Sequence, residues 1–133
     1  MQNYLNKLYK ESKYSYYELL ESNLRNKEKM FIITVNPETL MLSETNQYLK
    51  EILNSNYSFV PDGVAVVKAC HKLNIDVKER ITGIEIAEYL LKIANENGYS
   101  IYLFGAKASV ITTLIDKIKK DYPKIKILGF SDG

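Results

Sequence analysis

The sequence has few of the residues from which disulfides and metal centres are built. It contains one cysteine, Cys70, and one histidine, His71, side by side in an apolar run. A single cysteine forms no internal disulfide, and a metal site needs more ligands than this pair supplies. Adjacent helix positions also point in different directions, which disfavours a Cys–His nucleophilic pair. We therefore interpret Cys70 as a small buried hydrophobic residue, and we predict no metal site.

Long apolar runs and a targeting signal are also absent. No stretch approaches the roughly 20 residues that a membrane-spanning helix needs, and the N-terminus lacks the basic start and apolar middle of a signal peptide. We expect a cytoplasmic protein. Tyrosine and lysine suit a membrane interface, so peripheral membrane contact stays open, although a short pattern of mixed charge favours tyrosines that face the core. The first seventeen residues contain five tyrosines: Tyr4, Tyr9, Tyr14, Tyr16 and Tyr17.

Neither charge nor glycine patterning points to a common nucleotide-binding class. Eighteen Lys and Arg residues stand against sixteen Asp and Glu residues, a formal net charge of +2, which does not suggest a nucleic-acid partner. The sequence contains no G-x-G-x-x-G and no G-x-x-x-x-G-K-[ST] motif. These absences disfavour a dinucleotide-dependent oxidoreductase and a P-loop enzyme.

What the sequence does contain is an alternation of apolar, β-branched runs with helical periodicity. The run MFIITV, with no polar alternation, is typical of a strand buried on both faces. Strands are predicted at 30–35, 57–60, 100–104 and 125–130. Helices are predicted at 16–26, 37–54 with a break near Ser43, 64–73 and 108–122, with one more that Thr82 and Gly83 open and Gly98 stops.

This alternation predicts an α/β fold, a Rossmann-like parallel sheet with helices on both faces. We expect an N-terminal helical segment, 1–29, and a Rossmann-like core, 30–133. Ser15 and Glu18 match a capping box at the start of the first helix. The helix opened by Thr82 and Gly83 is amphipathic, ends at Gly98, and is predicted to turn these residues inward: Ile84, Ile86, Ala87, Leu90, Leu91 and Ala94.

In parallel sheets, ligands bind beyond the carboxyl ends of the strands, so the residues just after each strand are candidates. Asp62 lies in such a turn, between Pro61 and Gly63. A carboxylate there can accept a proton from a hydroxyl group, but spacing alone favours a cap on the following helix. Both roles are compatible.

Two other strand ends carry polar residues. Thr34, Asn36 and Glu38 alternate with apolar residues as the chain leaves a strand, and they are candidates to bind sugar hydroxyls, although helix initiation already explains Asn36. Gly105, Ala106 and Lys107 form a turn before a helix, where backbone N–H groups favour a phosphate. A glycine in a turn between a strand and a helix is common among α/β proteins.

Taken in order, five stretches resemble the WecG/TagA/CpsF family of glycosyltransferases. They are ITVNPETL (33–40), FVPDGVAVVKA (59–69), ERITGIEIAEYLL (79–91), IYLFGAKASV (101–110) and YPKIKILGFSDG (122–133). Their order and separations carry the resemblance. The family continues past the point at which this chain stops, so we expect an incomplete copy of the domain. The turn at Ala106 departs from the family's more glycine-rich pattern.

The resemblance implies an inverting transferase without a cofactor or metal. It would move an N-acetylhexosamine, N-acetylmannosamine or a relative, from a UDP-sugar to a polyprenyl-diphosphate-linked acceptor in teichoic acid or cell-surface polysaccharide synthesis. Asp62 is implied as the general base and Thr34 as a catalytic-pocket residue. The resemblance also implies Asn36 beside Thr34, and Gly105, Ala106 and Lys107 near the nucleotide. The other predicted substrate-binding residues follow from their own chemistry: Glu38 and Gly63 at strand ends, and Arg80, with Lys107, as a cation for the leaving group.

Two alternatives remain open at this point. One is a binding module of flavodoxin or response-regulator type, although the strand ending at Val35 is followed by Asn36 and Pro37 rather than by an acidic cluster. The other is a truncated nucleotide-binding α/β module that has lost activity. Homo-oligomer formation is a further expectation for which the sequence offers no test.

Overall fold

Helices and strands alternate along the chain in the computed structural model, which describes residues 2–133. The helices are α1 Gln2–Leu5, α2 Lys13–Arg25, α3 Pro37–Thr45, α4 Gln47–Asn54, α5 Val64–Lys72, α6 Gly83–Asn97 and α7 Ala108–Asp121. The strands are β1 Ile32–Val35, β2 Ser58–Pro61, β3 Ser100–Phe104 and β4 Lys126–Ser131. The predicted order of elements is confirmed from α2 onward, and α1 is a short helix that was not predicted.

The strands pair in parallel, as predicted, but in two separate sheets. β1 pairs with β2, and β3 pairs with β4. Contacts divide the chain into two compact units, Met1–Ile86 and Ala87–Gly133, so that each unit holds one strand pair. The α/β class is therefore confirmed, whereas the continuous sheet expected from the sequence is, within residues 2–133, replaced by two short ones.

The N-terminal residues are part of the first unit's core. Leu8 forms a parallel bridge with Phe59 of β2, and the Tyr9 N–H donates to the Phe59 carbonyl oxygen at 2.8 Å. Cys70 is fully buried, as predicted, and burial raises the pKa of its thiol. The buried cluster of this unit comprises Leu5, Leu8, Val35, Leu40, Leu53, Phe59, Val66, Cys70, Ile75 and Val77.

Two predicted helix boundaries are corrected. Ser12, not Ser15, caps α2, because its side-chain oxygen accepts from the Ser15 N–H at 3.2 Å and Ser15 lies inside the helix. The helix break that was predicted near Ser43 lies at Asn46. This residue ends α3, and its side chain caps α4. Capping residues thus mark both boundaries, but at other positions than the pattern indicated.

The tyrosines of the N-terminal segment do not share one environment. Tyr16 is fully buried, with its hydroxyl 2.9 Å from Ser58 Oγ, whereas Tyr14 is 81% exposed.

Among residues 2–133, none of the helices combines the length and the apolarity that crossing a bilayer requires.

The inward face predicted for α6 is partly wrong. Ile86 and Ala94 are buried as expected, but Ile84 is 73% exposed and Ala87 is exposed, while Ile93, outside the prediction, is buried. Periodicity thus identified part of the buried face of α6 but assigned Ile84 and Ala87 to the wrong face.

Candidate active site at the carboxyl edge of β1 and β2

The paired strands β1 and β2 bring Thr34 and Asp62 to one edge of the sheet. Val35, the last residue of β1, is in register with Pro61, the last residue of β2. Asp62 follows directly, and its N–H donates to the Val35 carbonyl oxygen at 2.9 Å. Because the strands are parallel, both chain exits lie at the same rim, where ligands of such sheets bind.

A third residue, Gly83, lies between these two side chains. The Ile81 N–H donates to the Pro61 carbonyl oxygen at 2.9 Å and so holds the chain before α6 against the end of β2. A methyl group on the Gly83 Cα would lie 3.2 Å from Thr34 Cγ2, 3.6 Å from Thr34 Oγ1 and 3.7 Å from Asp62 Oδ2. Thr34 and Asp62 therefore converge on a point that glycine leaves open.

The Asp62 carboxylate is oriented through both of its oxygens. Oδ2 accepts from the Gly83 N–H at 3.2 Å, and Oδ1 lies 4.0 Å from Arg80 Nε. The Asp62 side chain is 24% exposed, so it reaches solvent. A carboxylate held in this way is placed to accept a proton from a bound hydroxyl.

The interpretation of Asp62 as a cap on the helix that follows it is wrong. Gly63 is the N-cap of α5, and among the described residues no side chain makes the capping bond. Asp62 instead accepts from the first residue of α6, twenty-one positions later. Gly63 itself has φ +149°, a conformation that residues with a Cβ rarely adopt. Its role in the turn is thus conformational.

Asn36 and Glu38 are near this edge in sequence, but the structure gives them other surroundings. Asn36 Oδ1 accepts from the Thr39 N–H at 2.8 Å and from Thr39 Oγ1 at 2.9 Å, which confirms its N-cap role at α3. Glu38 is exposed in the first turn of α3. Sugar binding by either residue stays a prediction.

The predicted phosphate turn belongs to the second unit. Gly105 and Ala106 both have positive φ, +106° and +62°. The Gly105 N–H donates to the Ser131 carbonyl oxygen at 3.0 Å, and exposed Lys107 is the N-cap of α7. The turn is thus built as a tight entry to a helix, and its contact with phosphate stays a prediction.

Across residues 2–133, no group of three or more His, Cys, Asp or Glu side chains is arranged to hold a metal ion.

Comparison with known proteins places these features in a family. A sequence model described as "Glycosyl transferase WecG/TagA/CpsF family" matches residues 7–133. The chain belongs to this family. The match includes the Thr34 and Asp62 strand ends and also most of the N-terminal segment.

Curated relatives are similar over most of the chain. An N-acetylglucosaminyldiphosphoundecaprenol N-acetyl-beta-D-mannosaminyltransferase of Bacillus subtilis (strain 168) is 38% identical over 102 residues, which cover 77% of this chain and 40% of that protein. A protein of the same name from Staphylococcus aureus (strain NCTC 8325 / PS 47) is 38% identical over 96 residues, 72% of this chain and 38% of that protein. This WecG/TagA/CpsF family chain thus spans about two fifths of the length of those relatives.

In this family member, sequence reasoning placed Thr82 at the start of α6 but missed its partners, Glu85 and Lys13. Thr82 and Glu85 form a capping box: the Glu85 N–H donates to Thr82 Oγ1 at 3.2 Å, and the Thr82 N–H donates to Glu85 Oε2 at 3.0 Å. Lys13 Nζ lies 2.5 Å from Glu85 Oε1. The T-x-x-E spacing was a readable signal, whereas the Lys13 contact, seventy-two positions away, had none.

Lys13 and Glu85 shift each other's pKa in opposite directions. The bond from Lys13, followed by the Thr82 N–H, lowers the pKa of Glu85 from 4.5 to about 2. The same bond raises the pKa of Lys13. Both groups are therefore charged at neutral pH, and the ionised Glu85 carboxylate accepts the Thr82 bonds of the capping box.

Proposed function

We propose that this chain forms the catalytic-base part of an inverting glycosyltransferase. The donor would be a UDP-linked N-acetylhexosamine, N-acetylmannosamine or a relative, and the acceptor a polyprenyl-diphosphate-linked sugar in teichoic acid or cell-surface polysaccharide synthesis. Family membership and the names of the relatives support this reaction class. The observation that carries it is the convergence of Thr34, Asp62 and Gly83 at the carboxyl edge of β1 and β2.

Single displacement with inversion needs one base on the acceptor side. In the proposed step the acceptor hydroxyl gives its proton to Asp62 as its oxygen bonds to the anomeric carbon of the donor. The bond from that carbon to the UDP oxygen breaks, and UDP leaves with the electron pair. Thr34, whose Oγ1 is 3.6 Å from the position that Gly83 leaves open, is suited to orient the hydroxyl.

The departing diphosphate needs positive charge or N–H groups to stabilise it. Arg80, with Nε 4.0 Å from Asp62 Oδ1 and a half-exposed side chain, is the first-unit cation suited to this task. For Gly105, Ala106 and Lys107, contact with phosphate stays a prediction of the sequence. Because a polyprenyl acceptor is embedded in a membrane, we further propose peripheral contact with the inner face of the cell membrane.

A transfer assay tests the proposal. The 133-residue chain is incubated with UDP-N-acetylmannosamine and a short-prenyl N-acetylglucosaminyl diphosphate, and UDP release and glycolipid mass are measured. Asp62→Asn is expected to lower kcat by about two orders of magnitude or more, the usual share of a general base, with an unchanged circular dichroism spectrum. Asp76→Asn, which alters an exposed aspartate of the same unit, is the matched control.

Each outcome bears on the proposal. Wild-type turnover in Asp62→Asn would remove Asp62 from the base role. UDP binding seen by calorimetry without transfer by the wild-type chain would contradict the transferase proposal and favour a nucleotide-binding module. Absence of UDP binding would contradict the donor assignment itself.

A further inference from the structure

The N-terminal residues just before and at the start of α2 contact the segment 78–85. The Lys78 N–H donates to the Lys10 carbonyl oxygen at 2.9 Å, and Lys78 also forms an ion pair with Glu11. The Lys13 N–H donates to Glu79 Oε1 at 2.5 Å. Backbone and side-chain bonds together fasten these two segments, which are far apart in sequence.

Lys13 extends this fastening to the start of α6. Its Nζ lies 2.5 Å from Glu85 Oε1, while Glu85 Oε2 accepts from the Thr82 N–H and from Thr82 Oγ1. Thr82 immediately precedes Gly83, whose N–H donates to Asp62 Oδ2. A continuous chain of bonded groups therefore runs from Lys13 to the carboxylate.

We propose that Lys13 is a positioning residue for Asp62, acting through Glu85 and Thr82 to hold the Gly83 N–H on the carboxylate. Its catalytic consequence rests on the proposed transferase function, since it presumes that Asp62 takes the acceptor proton. A purely structural ion pair would have no effect on Asp62. The Lys13–Glu85 pair instead leads through Thr82 to the Gly83 N–H, which donates to the candidate base. It also gives the N-terminal segment a part in the active site.

The charges and exposure of the pair fit this role. Lys13 is 26% exposed and Glu85 is 37% exposed, so water partly screens their attraction. Glu79 and Glu85 both face Lys13, which therefore joins two carboxylates of the 78–85 segment. A neutral side chain of similar length at position 13 would leave Glu85 with its Thr82 bonds alone.

The competing explanation is that the Thr82–Glu85 capping box fixes α6 without help. In that case Lys13 would add stability to the first unit and nothing specific to Gly83. The two explanations differ in where loss of Lys13 loosens the structure: at the Gly83 amide alone, or at the whole unit equally.

Amide hydrogen exchange, read residue by residue by NMR on the 133-residue chain, separates them. In Lys13→Met the Gly83 amide is expected to exchange about tenfold faster, as local opening becomes easier. The Asp62 amide, bonded to the Val35 carbonyl, should change by less than about twofold. Lys13→Arg should restore protection, and Lys92→Met, which breaks the exposed Lys92–Glu96 pair on α6, should leave both amides unchanged.

A transfer assay on the same variants supplies the second arm. Lys13→Met is expected to lower kcat and Lys13→Arg to recover most of it. Unchanged Gly83 exchange in Lys13→Met, or an equal rise at Gly83 and Asp62, would overturn the positioning role. If no variant, including wild type, transfers sugar, the proposed function fails while the exchange arm still decides whether Lys13 holds Gly83.

Discussion

Replacing Glu85 by Gln should make the first unit less stable at neutral pH but not in strong acid. The amide keeps an oxygen for the Thr82 N–H, so the variant removes the charge and spares the capping geometry. Glu85 has a pKa lowered from 4.5 to about 2 in the folded chain. A lowered pKa contributes stability that is present above 4.5 and is lost as the pH falls towards 2.

The expected size follows from the shift and the exposure. Converted without correction, a shift of that size corresponds to about 3 kcal/mol. The Glu85 side chain is 37% exposed, however, and solvent screening reduces such pairs to about 1 kcal/mol. We therefore expect wild type to exceed Glu85→Gln by about 1 kcal/mol in free energy of unfolding at pH 7.

Urea titrations followed by NMR signals of first-unit amides, such as Val60, measure this difference at several pH values. The gap should narrow between pH 4.5 and 2, the window set by the Glu85 pKa, and close at the acidic end. A gap that is the same at pH 7 and pH 2, or that widens in acid, would refute the assignment of the stabilisation to the Lys13–Glu85 charge pair.

Three further substitutions probe the turns and the open point between the strands. Gly63→Ala should destabilise the first unit by about 1–2 kcal/mol in urea titration, because φ is +149°; an unchanged midpoint would contradict the conformational role. Asn36→Ala should cost about 1 kcal/mol through loss of the α3 cap, and a loss below a few tenths would show that the cap is dispensable. Gly83→Ala should lower kcat about tenfold while the free energy of unfolding changes by under about 1 kcal/mol, since the methyl enters the space between Thr34 and Asp62; full activity would show that this space is not used.

The sequence predicted the elements of the fold better than their pairing. Continuous apolar runs located all four strands, and Asn36–Pro37 located the start of α3, because these signals are local. Pairing depends on contacts between distant segments. No local pattern distinguishes one parallel sheet of four strands from the two sheets of two strands observed.

Part of the candidate site could also be predicted, because strand ends can be located from local sequence signals. Thr34 and Asp62 end parallel strands, so their meeting at one edge followed from topology. Gly83 reaches Asp62 through a contact over twenty-one positions, and Lys13 reaches Glu85 through one over seventy-two. Capping by Asp62 was assigned to the wrong helix because the nearest helix in sequence is not the helix whose N–H it accepts.

The fastening of residues 10–13 to the segment 78–85 closes a loop of the chain that contains nearly the whole first unit. Closing a loop of that length carries an entropy cost that the contacts at its two ends must offset. The β1–β2 pairing, at shorter separation, can exist without it. A chain in which these contacts are open would therefore keep the β1–β2 pair and Asp62 but lose the amide that orients the carboxylate.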